Sequence, residues 1–134
     1  MDTGWLITAE RSPAAARRHI AALVRRTQIL AVSPGAVVEG LQRARDPRPI
    51  QVVLAKLWKE PSTYEDAVRA AELLRAAGRA SGEPHWTVHE IGVVDGLVAA
   101  MAERLSGIVY TGDPRHMDML RDAGAAITVA PVPF

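Results

Sequence analysis

Proline marks the places where helices can begin in this chain, and this punctuation limits its fold more than any other feature. Pro13 and Pro34 each follow a serine, and Pro114 follows Asp113. Serine and aspartate are favoured N-cap residues, and proline is favoured at the first helical position. Each of these sites therefore predicts a helix start, so the segments between them must hold short strands, turns or further helices.

Short apolar runs lie between the predicted helices. They read "TQILAVS" at residues 27–33, "GIVYT" at 107–111 and "AAITVAPV" at 125–132. Runs of this length and composition suit buried strands. Continuous apolar strands that alternate with helices favour a parallel sheet with both faces covered. The predicted fold class is therefore α/β, with a parallel sheet between two layers of helices.

Two further helices are predicted in the second half of the chain. Ser62 and Glu65 have the spacing of a capping box, and Gly78 predicts the end of the helix that follows. A nearly all-apolar helix, "DGLVAAMAERL", is predicted to begin at Asp95 and to lie in the middle of the fold. Residues 78–94 have no sustained period, which predicts a long loop between these two helices.

Length and composition bound the possible functions. A chain of 134 residues, 49% of them hydrophobic, predicts a single domain over residues 1–134. The net charge of +1 gives no global basic field, so nucleic-acid binding would need a local patch. The absence of cysteine excludes thiolate metal sites and leaves carboxylates and histidines as ligands. Neither a secretory signal nor a long apolar run is present, so we expect a cytoplasmic protein.

Four acidic residues lie at or near the ends of predicted elements: Asp2, Glu39, Asp95 and Asp113. In a parallel sheet the ligand site lies beyond the carboxyl ends of the strands, and Asp113 directly follows the run "GIVYT". The residue types alone leave another interpretation open. Asp95 and Asp113 are equally good helix caps, and a lone glutamate on a helix is usually solvated.

The order of the acids and their surroundings resembles a known family. The segments "DTGWLI", "VSPGAVVEGL", "VVDGLVAAMAERLSG" and "IVYTGD" follow one another along the chain. This pattern resembles the PIN-domain ribonucleases, especially the VapC-type toxins of bacterial toxin–antitoxin pairs, over essentially the whole chain. The resemblance implies a three-layer PIN-like fold. It also implies that the catalytic, metal-binding acids are Asp2, Glu39, Asp95 and Asp113, with Thr3 and Thr111 as their supporting partners.

The resemblance implies an activity as well. It predicts an endoribonuclease that depends on Mg²⁺ or Mn²⁺, leaves a 5′-phosphate and a 3′-hydroxyl, and acts as the toxin of a type II pair. Its expected partners are RNA, a VapB-like antitoxin and a second copy in a homodimer. Carboxylates about 4 Å apart repel by roughly 4 kcal/mol per pair at an effective dielectric of 20, so such a cluster needs a cation. Oxygen ligands suit the hard ions Mg²⁺ and Mn²⁺.

Other interpretations of the same residues remain open. A PIN-like domain without catalysis could bind RNA or protein as a regulator, and a metal-dependent phosphohydrolase could act on a small molecule. His85, Trp86 and His89 either contact RNA or anchor the predicted loop. His116 either contacts a substrate phosphate or lies on the surface.

The start of the chain carries a separate expectation. Only Met1 precedes Asp2, whereas several apolar residues precede the first aspartate in the resembling proteins and form a central strand. Orphaned backbone groups in a buried sheet cost about 1–3 kcal/mol each. We therefore expect backbone before or around Asp2 to fill the central position, most simply because the natural protein begins upstream of Met1.

Overall fold

The computed structural model describes residues 1–82 and 91–134, and 63% of these described residues are helical. In chain order the described elements are α1 (Thr3–Arg11), α2 (Pro13–Arg25), β1 (Ala31–Val32), α3 (Pro34–Arg43), α4 (Pro47–Leu54), β2 (Trp58–Lys59), α5 (Tyr64–Ser81), α6 (Val93–Arg104), β3 (Ile108–Thr111), α7 (Pro114–Asp122) and β4 (Thr128–Pro131). Across these described ranges, no helix is both long enough and apolar enough to cross a membrane.

The predicted α/β fold, a three-layer PIN-like arrangement with one parallel sheet, is wrong. The described strands form two separate pairs, β1 with β2 and β3 with β4. In the first pair, which is parallel, Ala31 lies opposite Trp58. Only two of residues 27–33 belong to a strand, and the apolar residues after Asp2 lie in helix α1. An apolar run that is long enough for a strand thus pairs over only part of its length.

The predicted helix starts at the three proline sites are confirmed. Pro13, Pro34 and Pro114 are the first residues of α2, α3 and α7. At the second site, the hydroxyl of Ser33 accepts a hydrogen bond from the backbone N–H of Ala36 at 3.2 Å. These starts depend only on neighbouring residues, which is why the sequence predicts them correctly.

The cap of α5 lies one residue later than predicted. The Thr63 hydroxyl accepts from the backbone N–H of Asp66 at 3.1 Å, and the Asp66 carboxylate accepts from the Thr63 N–H at 2.9 Å. This box replaces the predicted pair of Ser62 and Glu65. Asp66 is also bound through both oxygens by Arg104 of α6, at 2.9 and 3.0 Å. A contact between helices therefore selects the register of the cap.

Two other helix boundaries also differ from the prediction. Gly78 lies inside α5, which continues to a left-handed cap at Gly82 with φ of 74°. Helix α6 begins at Val93, so Asp95 occupies its third position and does not open it. In both cases the added helical residues, 79–81 and 93–94, are exposed or half-buried, so the helix passes the local stop or start signal without burying further side chains.

The first of two compact units is built around α1 and consists of Met1–Pro61, Tyr110–Gly112 and Pro131–Phe134. In this unit α1 contacts α2, α3 and α4. The side chains of Trp5 and Leu6 are fully buried there, and burying a side chain of this size contributes about 1.5–3 kcal/mol. The prediction of one domain for residues 1–134 stays a prediction.

The two edges of strand β1 have different hydrogen-bond donors. The carbonyls of Leu30 and Val32 accept hydrogen bonds from the β2 segment, at 2.7 and 3.1 Å. Successive carbonyls of a strand point to opposite edges. The Ala31 carbonyl accordingly points away from β2, and it accepts from the α-amine of Met1 at 2.8 Å.

The backbone of Met1 and Asp2 lies between β1 and β3. The N–H of Asp2 donates to the Tyr110 carbonyl at 3.2 Å. On the other edge of β3, the Thr111 carbonyl accepts from the N–H of Val132 at 2.9 Å. Asp2 has extended backbone angles, although neither Met1 nor Asp2 belongs to a strand. The central strand of a single parallel sheet, which the sequence analysis expects backbone around Asp2 to fill, is not present among the described strands.

The second compact unit consists of Ser62–Val109 and Asp113–Ala130 and contains α5, α6 and α7. The three helices contact one another. A polar network ties them to the chain after α7. Arg69 donates to the Glu103 carboxylate at 2.9 Å and to the Gly124 carbonyl at 3.0 Å. Glu103 also accepts from the N–H of Ala126 at 2.9 Å, so one ion pair orders the turn that follows α7.

Burial affects two basic groups of the first unit. It lowers the pKa of the Met1 α-amine to about 6, although the charge of Asp2 opposes this shift. Burial, with a smaller effect from the charge of Arg26, also lowers the pKa of His19. The Nδ1 atom of His19 accepts a hydrogen bond from the indole N–H of Trp5 at 3.3 Å. Burial therefore disfavours the charged form of both groups.

The Met1 amine makes stability depend on pH. The pKa of the Met1 amine is about 6 in the folded protein, and its ordinary value is 8.0. Above pH 8 the amine is neutral in both the folded and the unfolded state. As the pH falls from 8 to about 6, the unfolded chain binds the proton first, so the folded state becomes less stable. We expect the free energy of unfolding to fall by about 2–3 kcal/mol across this range. Acetylation of the α-amine should remove this dependence while leaving an N–H for the Ala31 carbonyl. Urea unfolding at several pH values measures both proteins.

His19 titrates in the acetylated and the unmodified protein alike, so its contribution cancels in the comparison. Equal pH dependence in the two proteins would contradict the assignment to the α-amine.

Gly112 follows β3 at a point where the chain passes close to α1. A Cβ atom at this position would lie 2.6 Å from the carbonyl oxygen and 2.8 Å from the carbonyl carbon of Gly4. Both contacts involve backbone, which cannot rotate away as a flexible side chain can. At Gly107, by contrast, the nearest atom would be 3.6 Å away, an ordinary contact distance.

We expect Gly112→Ala to destabilise the protein by about 3 kcal/mol, because either the backbone of α1 or β3 must move to admit the methyl group. The matched control is Gly107→Ala, which should change the free energy of unfolding by less than about 1 kcal/mol. Urea denaturation of both variants measures the difference. Equal effects of the two substitutions would show that the approach to Gly4 is not tight.

Candidate functional site

The first unit brings together two of the residues singled out in the sequence. The Thr3 hydroxyl donates a hydrogen bond to Oε2 of Glu39 at 2.7 Å, although the two residues are 36 positions apart. Thr3 is the first residue of α1 and is buried, and Glu39 lies on α3. Asp2 precedes Thr3 directly, and its Oδ1 accepts from the N–H of Trp5 at 2.7 Å. The contact between α1 and α3 therefore fixes these groups in one neighbourhood.

The Glu39 carboxylate is held from two directions. Its Oε1 pairs with the guanidinium of Arg43 at 2.6 Å, one helical turn further along α3. The Arg43 side chain is 65% exposed, whereas that of Glu39 is 24% exposed. A pair of this spacing contributes about 0.3–0.5 kcal/mol and is weakened by salt. Thr3 and Arg43 thus orient a charged group that solvent still reaches.

The second unit brings Asp95 and His116 together. Oδ2 of Asp95 lies 3.2 Å from Nδ1 of His116, across 21 positions of sequence. The same oxygen accepts a hydrogen bond from the backbone N–H of Gly92 at 3.0 Å. The side chains of Asp95 and His116 are 20% and 26% exposed. This carboxylate therefore closes the first turn of α6 and also faces the first turn of α7.

Asp113 has the capping role that its local sequence predicts. It is the N-cap of α7, and its Oδ1 accepts from the N–H of Arg115 at 3.2 Å. The same Asp-Pro-Arg tripeptide occurs at residues 46–48, where Asp46 caps α4 through the N–H of Arg48 at 3.1 Å. Capping alone therefore does not distinguish Asp113 from an acid that has only a structural role.

Thr111 ends β3 and is fully buried. Its backbone carbonyl pairs with the N–H of Val132. The role implied for it by the resemblance stays a prediction.

The four acids are divided between the units. Asp2 and Glu39 belong to the first, and Asp95 and Asp113 to the second. Within residues 1–82 and 91–134, no group of three or more histidine, aspartate or glutamate side chains is arranged to hold a metal ion. The cluster of all four acids stays a prediction.

One pairing in the candidate site could not be predicted from the sequence, and three predicted residues are not among those that the structure describes. The pairing of Asp95 with His116 has no local signal, because a helix and a strand separate the two residues. The only signal in the sequence for this pairing is the chemical type of the two side chains. His85, Trp86 and His89, which the sequence predicts either to contact RNA or to anchor a loop, lie outside the described residues.

No protein-family model matches the sequence, and no curated protein matches it. The functional argument therefore rests on the residues themselves and on their contacts.

The hydrogen bond between Thr3 and Glu39 should be measurable as an energetic coupling. In a double-mutant cycle of Thr3→Val and Glu39→Ala, we expect the two effects on the free energy of unfolding to be non-additive by about 1 kcal/mol. The carboxylate is charged, which strengthens the bond, and partly exposed, which weakens it. Urea denaturation of the four proteins gives the coupling.

The control cycle is made at Thr8, another threonine of α1, and leaves Thr3 unchanged. The Thr8 hydroxyl donates to the Gly4 carbonyl at 2.8 Å. Thr8→Val and Glu39→Ala should be additive within about 0.5 kcal/mol. A coupling of equal size in both cycles would mean that the effect comes from the helix and not from this bond.

Proposed function

We propose that the protein is a metal-dependent endoribonuclease that hydrolyses RNA phosphodiester bonds and acts as the toxin of a type II toxin–antitoxin pair. The observation that carries the proposal is the hydrogen bond of Thr3 to Glu39 at 2.7 Å. It joins two residues that were singled out for one acidic site although they are distant in sequence. The order of the four acids in the chain is its second support.

The donor chemistry of the acids fits a hard cation. Asp2, Glu39, Asp95 and Asp113 supply carboxylate oxygens, the ligands that Mg²⁺ and Mn²⁺ prefer. Magnesium sites in proteins commonly use only one or two carboxylates and complete their coordination with water. A protein cluster of three or more groups is therefore not required. The proposal assigns these four residues to metal binding.

A bound Mg²⁺ or Mn²⁺ would supply Lewis-acid activation of water and would neutralise the negative charge that develops on the phosphodiester. The protein's contribution is the orientation of its carboxylates. Thr3 and Arg43 fix Glu39, and the N–H of Gly92 fixes one oxygen of Asp95. Side chains that are already oriented lose little further rotamer entropy when a ligand binds. No protein nucleophile is required by this chemistry.

A matched pair of substitutions tests the proposal. Asp113→Asn and Asp46→Asn change the same residue in the same Asp-Pro-Arg context, and asparagine is as good an N-cap as aspartate. We expect Asp113→Asn to lower the rate of RNA cleavage about 100-fold or more, because the negative charge that a hard cation requires is lost. Asp46→Asn should cleave at the wild-type rate. Gel analysis of labelled RNA with Mn²⁺ measures both.

EDTA should abolish cleavage by the wild-type protein. Thermal unfolding of both variants should show similar losses of stability, below about 1 kcal/mol, since the caps are retained. Cleavage that continues in EDTA, or equal rates for Asp113→Asn and Asp46→Asn, would contradict the assignment of Asp113 to metal binding.

The alternative is a non-catalytic domain that binds RNA or protein as a regulator. It is favoured by the absence of a group of three or more potential ligands among the residues described. RNA binding without cleavage, unchanged by Asp113→Asn, would support this alternative.

The toxin role adds a VapB-like antitoxin as partner and a homodimer as the expected assembly. An open reading frame for a short antitoxin directly upstream of this gene would support the role. Co-expression of the two proteins should then suppress the RNA cleavage.

A further inference from the structure

We propose that His116 is a positioning residue for Asp95, holding one oxygen of this carboxylate so that the group faces a metal ion in a single orientation. The inference rests on the proposed function, which assigns Asp95 to metal binding, and it adds a residue that the four acids do not include. It is based on the contact of Nδ1 with Oδ2 at 3.2 Å.

The chemistry of the pair determines where the proton lies. An ionised carboxylate can only accept hydrogen bonds, whereas a neutral imidazole donates from one nitrogen and accepts at the other. The hydrogen bond therefore requires the proton on Nδ1 of His116. Nε2 is then the nitrogen without a proton in the neutral ring, which fixes the tautomer of this histidine.

The geometry restricts Asp95 in two ways. Its Oδ2 receives the N–H of Gly92, from the turn that begins α6, and the imidazole of His116, from the first turn of α7. Two donors from different elements prevent the carboxylate from rotating about its χ2 bond without losing both contacts. Without the His116 bond, the side chain would keep its bond to the Gly92 N–H and could tilt towards solvent, to which 20% of it is exposed.

This arrangement follows a general property of metal sites. Residues that hydrogen-bond a ligating side chain orient it, and their loss typically lowers metal affinity or activity by 10–100-fold. A carboxylate that is fixed before binding does not have to be ordered by the cation. The expected consequence of losing His116 is therefore weaker binding of the metal with little change in the fold.

Three substitutions at one position test the role. The amide nitrogen of an asparagine lies near the place of the histidine Nδ1, whereas that of a glutamine lies near the place of Nε2. His116→Asn should therefore retain the bond to Asp95, and His116→Gln and His116→Ala should lose it. The probe is Mn²⁺ alone, with the free ion measured by electron paramagnetic resonance.

We expect His116→Ala and His116→Gln to weaken Mn²⁺ binding about 10-fold and His116→Asn to remain within about threefold of wild type. The control variant on the same helix is Asp118→Asn, whose carboxylate pairs with Arg121 at 2.6 Å and which should bind Mn²⁺ normally. Rescue by asparagine but not by glutamine separates the hydrogen bond from a general effect of side-chain volume.

A second readout does not depend on metal or activity. Nitrogen-15 NMR of the imidazole at a pH of about 8.5, where an ordinary histidine is neutral, should show the proton of His116 on Nδ1. Asp95→Asn should preserve this tautomer, because its amide oxygen can still accept from the ring. Asp95→Ala should release it. A proton on Nε2 in the wild-type protein would overturn the inference.

The outcomes separate the two proposals. If Asp95→Asn abolishes Mn²⁺ binding while His116→Ala and His116→Gln bind like the wild type, the positioning role is wrong and the proposed function stands. If the wild-type protein neither binds Mn²⁺ nor cleaves RNA, the proposed function fails and the positioning role fails with it. The NMR result then still decides whether the hydrogen bond exists.

Discussion

The backbone of Met1 and Asp2, placed between β1 and β3, is the interaction on which the first unit depends. The α-amine of Met1 donates to the Ala31 carbonyl and the N–H of Asp2 to that of Tyr110. Helix α1 begins at the next residue, so these two bonds fix its position. Because α1 carries the fully buried Trp5 and Leu6, and because Thr3 reaches Glu39 from its first turn, core packing and the candidate site have the same origin.

Features that depend on neighbouring residues could be predicted, and features that depend on pairing could not. The starts of α3 and α7 follow from a capping side chain and a proline, whereas α2 starts at its proline and Ser12 makes no side-chain cap hydrogen bond. Strand β3 matches the last four residues of the run "GIVYT". The prediction of a three-layer fold around one sheet is wrong because an apolar run carries no information about how many of its residues pair with another strand. Residues 27–33 pair over only two positions, although Leu30 and Val32 are buried as a strand would require.

The candidate site shows the same limit. The acids can be read from the sequence, but their partners cannot, since Thr3 and Glu39 are separated by 36 positions and Asp95 and His116 by 21. Local context is even misleading on its own. Asp46 and Asp113 occur in identical Asp-Pro-Arg tripeptides and cap their helices in the same way. Any difference in function between them must come from what surrounds the tripeptide.

Exposure and charge pairing together separate structural acids from candidate ligands. Asp66 is only 2% exposed, and Arg104 occupies both of its oxygens, which lowers the pKa of Asp66 and holds it as a carboxylate within the core. A cation could reach it only by displacing the Arg104 guanidinium, which donates to both oxygens of this almost fully buried carboxylate. Glu39, at 24% exposure, has a solvent-facing arginine that can move away at little cost. Under the proposed function, an ordered carboxylate of this second kind is the one that would exchange its partner for a metal ion.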